Sequence, residues 1–308
     1  MKILISGASG FVGTSLAKLL EQDGHAVGRL VRPGGRLSVG DVSWDPMGGI
    51  LDTSAMEGID ALVHLSGASI ARGRWTRARK ALLRSSRVDS TRFLVDALAG
   101  LRHKPKAFVC ASAIGYYGDR GDEILTESSE PGGDFLALLA RDWEAEARRA
   151  EQAHIRTVRL RFGIILAAQG GAFPKMLLPF QLGVGGCFGN GRQWMSWVAL
   201  EDAVRATHMA IVTDAVSGPV NVVAPNPVRN AEFVRILAGA LRRPAVFRAP
   251  AFLLRVALGE MADPLLLSSQ RVRPEQLLSR NFTFRFADLA SALKAMLVTP
   301  VPNGNGPP

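Results

Sequence analysis

Only two cysteines occur in the 308 residues, Cys110 and Cys187. That excludes a disulfide framework and fits a reducing compartment, so a cytoplasmic location is expected. No run of 18 apolar residues is present, so no membrane span and no membrane partner is expected. The opening MKILISGASGFVG lacks a basic stretch ahead of an apolar run and does not read as a signal peptide. The spacings HxxE, HxH and CxxC are missing, which argues against a metal site. Apolar residues make up 47% and charged residues 21%, a globular composition rather than a disordered one.

Acidic residues are the scarcer charge: Lys plus Arg is 37 against 27 Asp plus Glu, a net charge of +10. The excess is local. Between Ile70 and Lys106 there are 11 basic residues against Asp89 and Asp96, a net of +9. No nucleic-acid module accompanies them, so nucleic acid is not an expected partner. An anionic small-molecule substrate, or a basic surface patch, would explain the cluster.

What is present begins at residue 2. Lys2 to Ser6 reads as a buried parallel strand. Gly7-Ala8-Ser9-Gly10-Phe11-Val12-Gly13 follows, then Thr14 to Asp23 with Leu16, Ala17, Leu19 and Leu20 at helical spacing. Gly24 stops that helix, and His25 to Val31 reads as a second strand. Strand, glycine turn, helix and strand form the dinucleotide-binding unit. The glycines let the backbone approach a pyrophosphate, and the helix start offers free N–H groups. The end of the second strand selects the dinucleotide. An acidic residue there would repel a 2′-phosphate, whereas this chain has Arg32 and no acid before Asp41. A guanidinium binds phosphate as a fork, so NADP(H) is expected over NAD.

Asp60 to Ala68 is a further strand ending in small residues, with His64 expected as a core histidine. Trp75 to Leu98 reads as one long helix, and Lys106 to Ser112 as the next strand. Ile155 to Gly163 and Val220 to Val223 are later strands. Asn230 is expected to cap a helix over Ala231–Leu241. The Gly-rich loop around Arg192 and Trp194 suits a pocket wall, with Arg192 suited to an anionic group. Residues 299–308, TPVPNGNGPP, read as a disordered tail.

In order and spacing, GASGFVG (7–13), HLSGA (64–68) and SAIGYYG (112–118) resemble the extended short-chain dehydrogenase/reductase superfamily, in its epimerase/dehydratase branch. Residues 170–206, 221–233 and 268–286 narrow the resemblance to the sugar-nucleotide "epimerase family protein" subgroup, which carries a C-terminal domain of unknown function. The resemblance implies an α/β fold: a Rossmann-type, doubly wound parallel sheet with a small, mainly helical C-terminal lobe on the substrate side. It implies a cofactor domain over 1–225 with a substrate loop at 168–200, and a C-terminal domain over 226–298. It assigns Gly7, Gly10, Phe11 and Gly13 to the pyrophosphate, Arg32 to the 2′-phosphate, and Leu65, Ser66 and Gly67 to the adenosine side. Arg87 would bridge to cofactor or substrate, and Ile164 would lie near the nicotinamide. Ser112 matches the catalytic serine, and Lys175 lies in the loop that approaches substrate.

The superfamily's YxxxK pair is where the pattern breaks. The helix expected over Asp134–Ala150 has no Tyr and no Lys, and alignment on Glu144 puts Leu136 and Ala140 at the two positions. One reading is an NADP(H)-dependent oxidoreductase or nucleotide-sugar epimerase with a substitute acid/base: Tyr116 or Tyr117 beside Ser112, with Lys175 or Glu127 behind. The other is a non-catalytic NADP(H) sensor or scaffold.

Overall fold

A computed structural model of the chain describes residues 1–298; the expected tail at 299–308 lies outside the described residues. Eight strands form the main sheet: β1 (Lys2–Ser6), β2 (Ala26–Val31), β3 (Val42–Asp45), β4 (Ile50–Leu51), β5 (Ala61–His64), β6 (Ala107–Ala113), β7 (Arg156–Phe162) and β8 (Gly218–Val222). Their order across the sheet is β8-β7-β6-β5-β1-β2-β3-β4. Every pairing is parallel except the short edge pair β3–β4. The central strands are apolar at successive positions because both faces of the sheet are covered.

Alternation splits the core in two. Ile3, Ile5, Val63 and Val109 face helices α1 (Phe11–Gln22) and α6 (Leu200–Val212), which contribute Leu16, Leu20 and Ile211. Leu4, Leu62 and Phe108 face the other way, onto α2 (Arg77–Arg84), α3 (Ser90–Gly100) and α4 (Phe135–Arg148). Helices on both faces of a parallel sheet make the fold doubly wound. A third core joins α5 (Phe173–Gln181), α7 (Asn230–Leu241) and α10 (Leu289–Val298) through Phe173, Leu177, Phe233, Leu237 and Leu293. Two short helices, α8 (Ala251–Leu258) and α9 (Glu275–Leu278), complete a mainly helical C-terminal lobe.

Two local expectations change. The long helix is interrupted: α2 begins at Arg77, capped by Thr76, and a π-helical turn over Ser85–Asp89 separates it from α3. Asn230 is the first residue of α7 and caps nothing. Its Oδ1 accepts from the Phe188 amide at 2.9 Å and its Nδ2 donates to Met195 Sδ, so its polar ends are used in packing rather than at the helix start.

Candidate functional site

A cavity of about 460 Å³ opens at the C-terminal ends of β1, β5 and β6. Ligands of doubly wound sheets bind at these strand ends. The glycine turn forms its floor. Gly7 has φ +71°, and a Cβ there would come within 2.9 Å of the Leu65 carbonyl carbon. A Cβ on Gly13 would lie 2.2 Å from the Gly7 carbonyl oxygen. The turn therefore exists only with glycine at these positions. Helix α1 starts at Phe11, after Gly10 at the N-cap position, with no side-chain cap and no acidic residue in its first turn. Its leading amides and positive dipole end are left for an anion. Above the turn, Gly170 and Gly171 pack so closely on the Phe11 ring that a Cβ on either would come within 2.8 Å of it.

The cavity brings together Gly7, Gly10, Phe11, Gly13, Leu65, Ser66, Gly67, Arg87 and Ser112. Leu136, Leu139, Ala140 and Trp143 of α4 close the opposite wall. Leu136 and Ala140, which the sequence resemblance sets at the Tyr and Lys positions, thus face the cavity as apolar side chains. Arg32 follows the last residue of β2 and is exposed. The first acid beyond it, Asp41, accepts from the backbone amides of Arg29 and Ser38, each at 2.9 Å, and is thereby occupied.

Ser112 is the polar end of the cavity, 4% exposed at the end of β6. Its Oγ donates to Glu144 Oε1 at 2.7 Å. Glu144 is buried and clamped by Arg161, Nε to Oε1 and Nη2 to Oε2, both at 2.8 Å. A bidentate, charge-assisted pair of this kind fixes both partners. The Ser112 proton is therefore directed away from the cavity, and the Oγ lone pairs face it.

Tyr116 and Tyr117 lie behind this pair and do not line the cavity. Tyr117 is fully buried. Its hydroxyl donates to Asn221 Oδ1 at 2.7 Å and accepts from Arg161 Nη1 at 2.9 Å. Burial pushes its hydroxyl up to about 12. The Tyr116 ring stacks 3.6 Å from the Arg161 guanidinium. Glu127 is buried further back. Its Oε1 accepts the amides of Asn221 and Gln276, while Oε2 is buried without a partner among the described residues. Burial raises its pKa.

The remaining expected residues lie outside the cavity lining. Ile164 is bound through its amide to the Ser196 carbonyl at 2.9 Å. Lys175 is exposed on α5 and Arg192 is exposed in the Gly-rich loop. Trp194 donates to Asp122 at 2.7 Å and carries the guanidiniums of Arg229 and Arg271 over its ring. His64 is fully buried between Ser6 Oγ, at 2.6 Å, and Ser90 Oγ, as a core histidine. Sequence reasoning did not single out Arg161, used Glu144 only as an alignment mark and gave Arg79 no role. The available signal was the pattern Arg159-Leu160-Arg161 in a buried strand, which demands an internal counter-charge.

A model of the NAD dependent epimerase/dehydratase family matches residues 3–223, and a domain of unknown function (DUF1731) matches 249–296. The chain is 38% identical over 301 residues to an epimerase family protein of Mycobacterium leprae, covering 98% of this chain and 97% of that protein. It is 37% identical to the epimerase family protein YfhF of Bacillus subtilis, covering 96% and 98% of the two. Among solved structures, it resembles the human epimerase family protein SDR39U1 with NADPH: 32% identity, a TM-score of 0.87, and 96% and 99% of the two chains covered.

Proposed function

Since the chain belongs to the NAD dependent epimerase/dehydratase family, we propose that it binds NADP(H) in the cavity and uses it as an oxidoreductase or epimerase of a small molecule. The observation that carries the cofactor is the turn Gly7–Gly13, where close backbone approach leaves room for glycine alone ahead of an uncapped helix. Gly7, Gly10, Phe11 and Gly13 would hold the pyrophosphate, with Leu65, Ser66 and Gly67 along the adenosine side. Arg32 would fork onto the 2′-phosphate, with Asp41 tied up by backbone amides. SDR39U1, similar over nearly its whole length, was solved with NADPH, which agrees with this choice. The reading divides the chain into a cofactor domain over 1–225, with the substrate loop at 168–200, and a C-terminal domain over 226–298.

When bound, NADP(H) supplies or accepts hydride. The chain's own part is proton handling, and Ser112 is the group placed for it. With its proton on the Glu144 side, Ser112 Oγ accepts from a substrate hydroxyl. Taking that proton, it passes its own to Glu144 Oε1, and the reverse transfer serves reduction of a carbonyl. Arg161 positions Glu144 and does not itself exchange protons. In this reading Tyr116 and Tyr117 are support: Tyr117 keeps its proton at every ordinary pH and points at Asn221.

NADP(H)-linked turnover of a panel of alcohols and carbonyls tests the chemistry. Turnover that falls about 100-fold or more in Ser112→Ala agrees with the assignment; unchanged turnover in Ser112→Ala contradicts it. The apolar Leu136 and Ala140 wall favours a second reading, a sensor that binds NADP(H) without turnover. Cofactor binding with no turnover across the panel would select that reading.

A further inference from the structure

Six basic side chains stand on the helical segment from Arg77 to Gly100: Arg77, Arg79, Lys80, Arg84, Arg87 and Arg92. Three are neutralised by carboxylates, Lys80 by Glu260, Arg84 by Asp142 and Arg92 by Glu146. Arg77 is exposed to solvent. Arg79 and Arg87 are the exceptions: both are half-buried, and neither meets a carboxylate among the described residues. Arg79 donates one Nη to the Ser69 carbonyl, and its Nε is buried with no partner among the described residues. Arg87 has only long bonds inside its own turn, to Leu83 O and Ser86 Oγ, each at 3.4 Å. Burial, and then the charge of Arg79, pull its guanidinium down to about 10. Two adjacent, partly desolvated positive charges with open donors are costly without an anion between them.

Their location narrows the anion. Arg87 occupies the π-helical turn, a distortion that often marks functional sites. Its guanidinium lies 5.3 Å from the Trp143 ring of α4. It also presses on Gly67, where a Cβ would come within 3.2 Å of Cζ. Across the sheet, Arg32 follows β2, the glycine turn follows β1, Gly67 follows β5 and Ser112 ends β6. Arg87 thus sits between Gly67, which follows β5, and Trp143 of α4, the helix that follows the Ser112 strand. The wall beside it is apolar: Ile70, Leu136, Leu139, Ala140 and Trp143.

Resting on the cofactor reading above, we propose that Arg79 and Arg87 hold the carboxylate or phosphate of a small organic substrate. Its apolar body lies against Ile70, Leu136 and Trp143, and its hydroxyl or carbonyl reaches Ser112. Arg87 moves by this inference from bridging the cofactor to anchoring the substrate.

Calorimetry on the full chain tests it in two stages. NADPH is titrated first. Benzoate, its uncharged counterpart benzamide, and inorganic phosphate are then titrated into NADPH-saturated protein. The expected result is one bound benzoate or phosphate per chain and no bound benzamide. Preference between the two anions separates a carboxylate substrate from a phosphorylated one. Arg79→Met and Arg87→Met should each weaken the anion about tenfold or more. Arg79→Met, at a side chain that does not itself line the cavity, should leave NADPH affinity within about twofold, and it serves if Arg87→Met does not fold. Three results overturn the inference: no anion binding to protein that has bound NADPH, anion and NADPH displacing each other, or unchanged anion affinity in Arg79→Met. Failure to bind NADPH at the first stage sinks the cofactor reading itself, and this inference with it.

Discussion

Ser112 and Tyr117 are five residues apart, and burial gives them different work. Ser112 keeps one side in the cavity, whereas the Tyr117 hydroxyl is enclosed between Asn221 and Arg161. Tyr117→Phe would leave the Asn221 oxygen short of a donor inside the protein. The expected cost is about 1–3 kcal/mol, read by denaturant unfolding, with NADPH affinity unchanged. A large loss of NADPH affinity in a folded variant would return Tyr117 to the site. His64 gives a pH test. Complete burial, with a smaller contribution from Arg87, lowers it from 6.5 to about 3. In that window the unfolded chain binds the extra proton, so stability is full above pH 6.5 and falls as pH drops. At pH 5, about 1.5 units below the unfolded value, the loss is about 2 kcal/mol. Thermal unfolding between pH 7 and pH 5 should show this decline, and His64→Gln should flatten it.

Among the elements, the glycine turn carries the account. It was legible in the sequence because its requirement is local: a strand, glycines three apart and an amphipathic helix. The geometry is equally local, with Gly13 backed directly on Gly7. Gly13→Ala should force the turn open and weaken NADPH by at least tenfold, beyond any change in melting temperature. Retained affinity would mean that phosphates are held elsewhere. The interruption between α2 and α3 was not legible. Apolar spacing from Leu82 to Leu98 fits one helix, and a π turn shifts the register of a face without breaking its periodicity. The Ser112–Glu144–Arg161 chain was also hidden. It joins residues 17 and 32 positions apart, and its glutamate sits on a helix that reads as ordinary amphipathic sequence.

At the scale of the molecule, the parallel sheet and its strand ends were readable from alternating apolar strands and helices, and the family resemblance carried them further. The lobe's attachment was not. Buried Asp202 accepts the amides of Arg285 and Phe286, and buried Glu127 accepts that of Gln276, so two carboxylates on the cofactor side tie down a segment 83 to 149 residues away. The basic segment is tied to the lobe too. Arg74 donates to the carbonyls of Val256 and Ala257 at the end of α8, and Lys80 pairs with Glu260. Part of the local charge excess is thus used in holding the lobe beside the cavity, and Arg79 and Arg87 are the half-buried members left without a carboxylate among the described residues. Among the described residues, no helix is long and apolar enough to cross a membrane.

In the proposed function, NADP(H) binds in the cavity through the glycine turn, and Arg32 chooses the phosphorylated cofactor. Fluorescence titration of NADPH and NADH against the wild-type chain and Arg32→Ala tests it most directly. A charge-assisted contact to phosphate contributes about 1.5–3 kcal/mol, so the wild type should prefer NADPH by about 10- to 100-fold. Arg32→Ala should remove that preference and leave NADH affinity unchanged. Equal affinities in the wild type, binding of neither nucleotide, or a preference that survives Arg32→Ala would contradict the account.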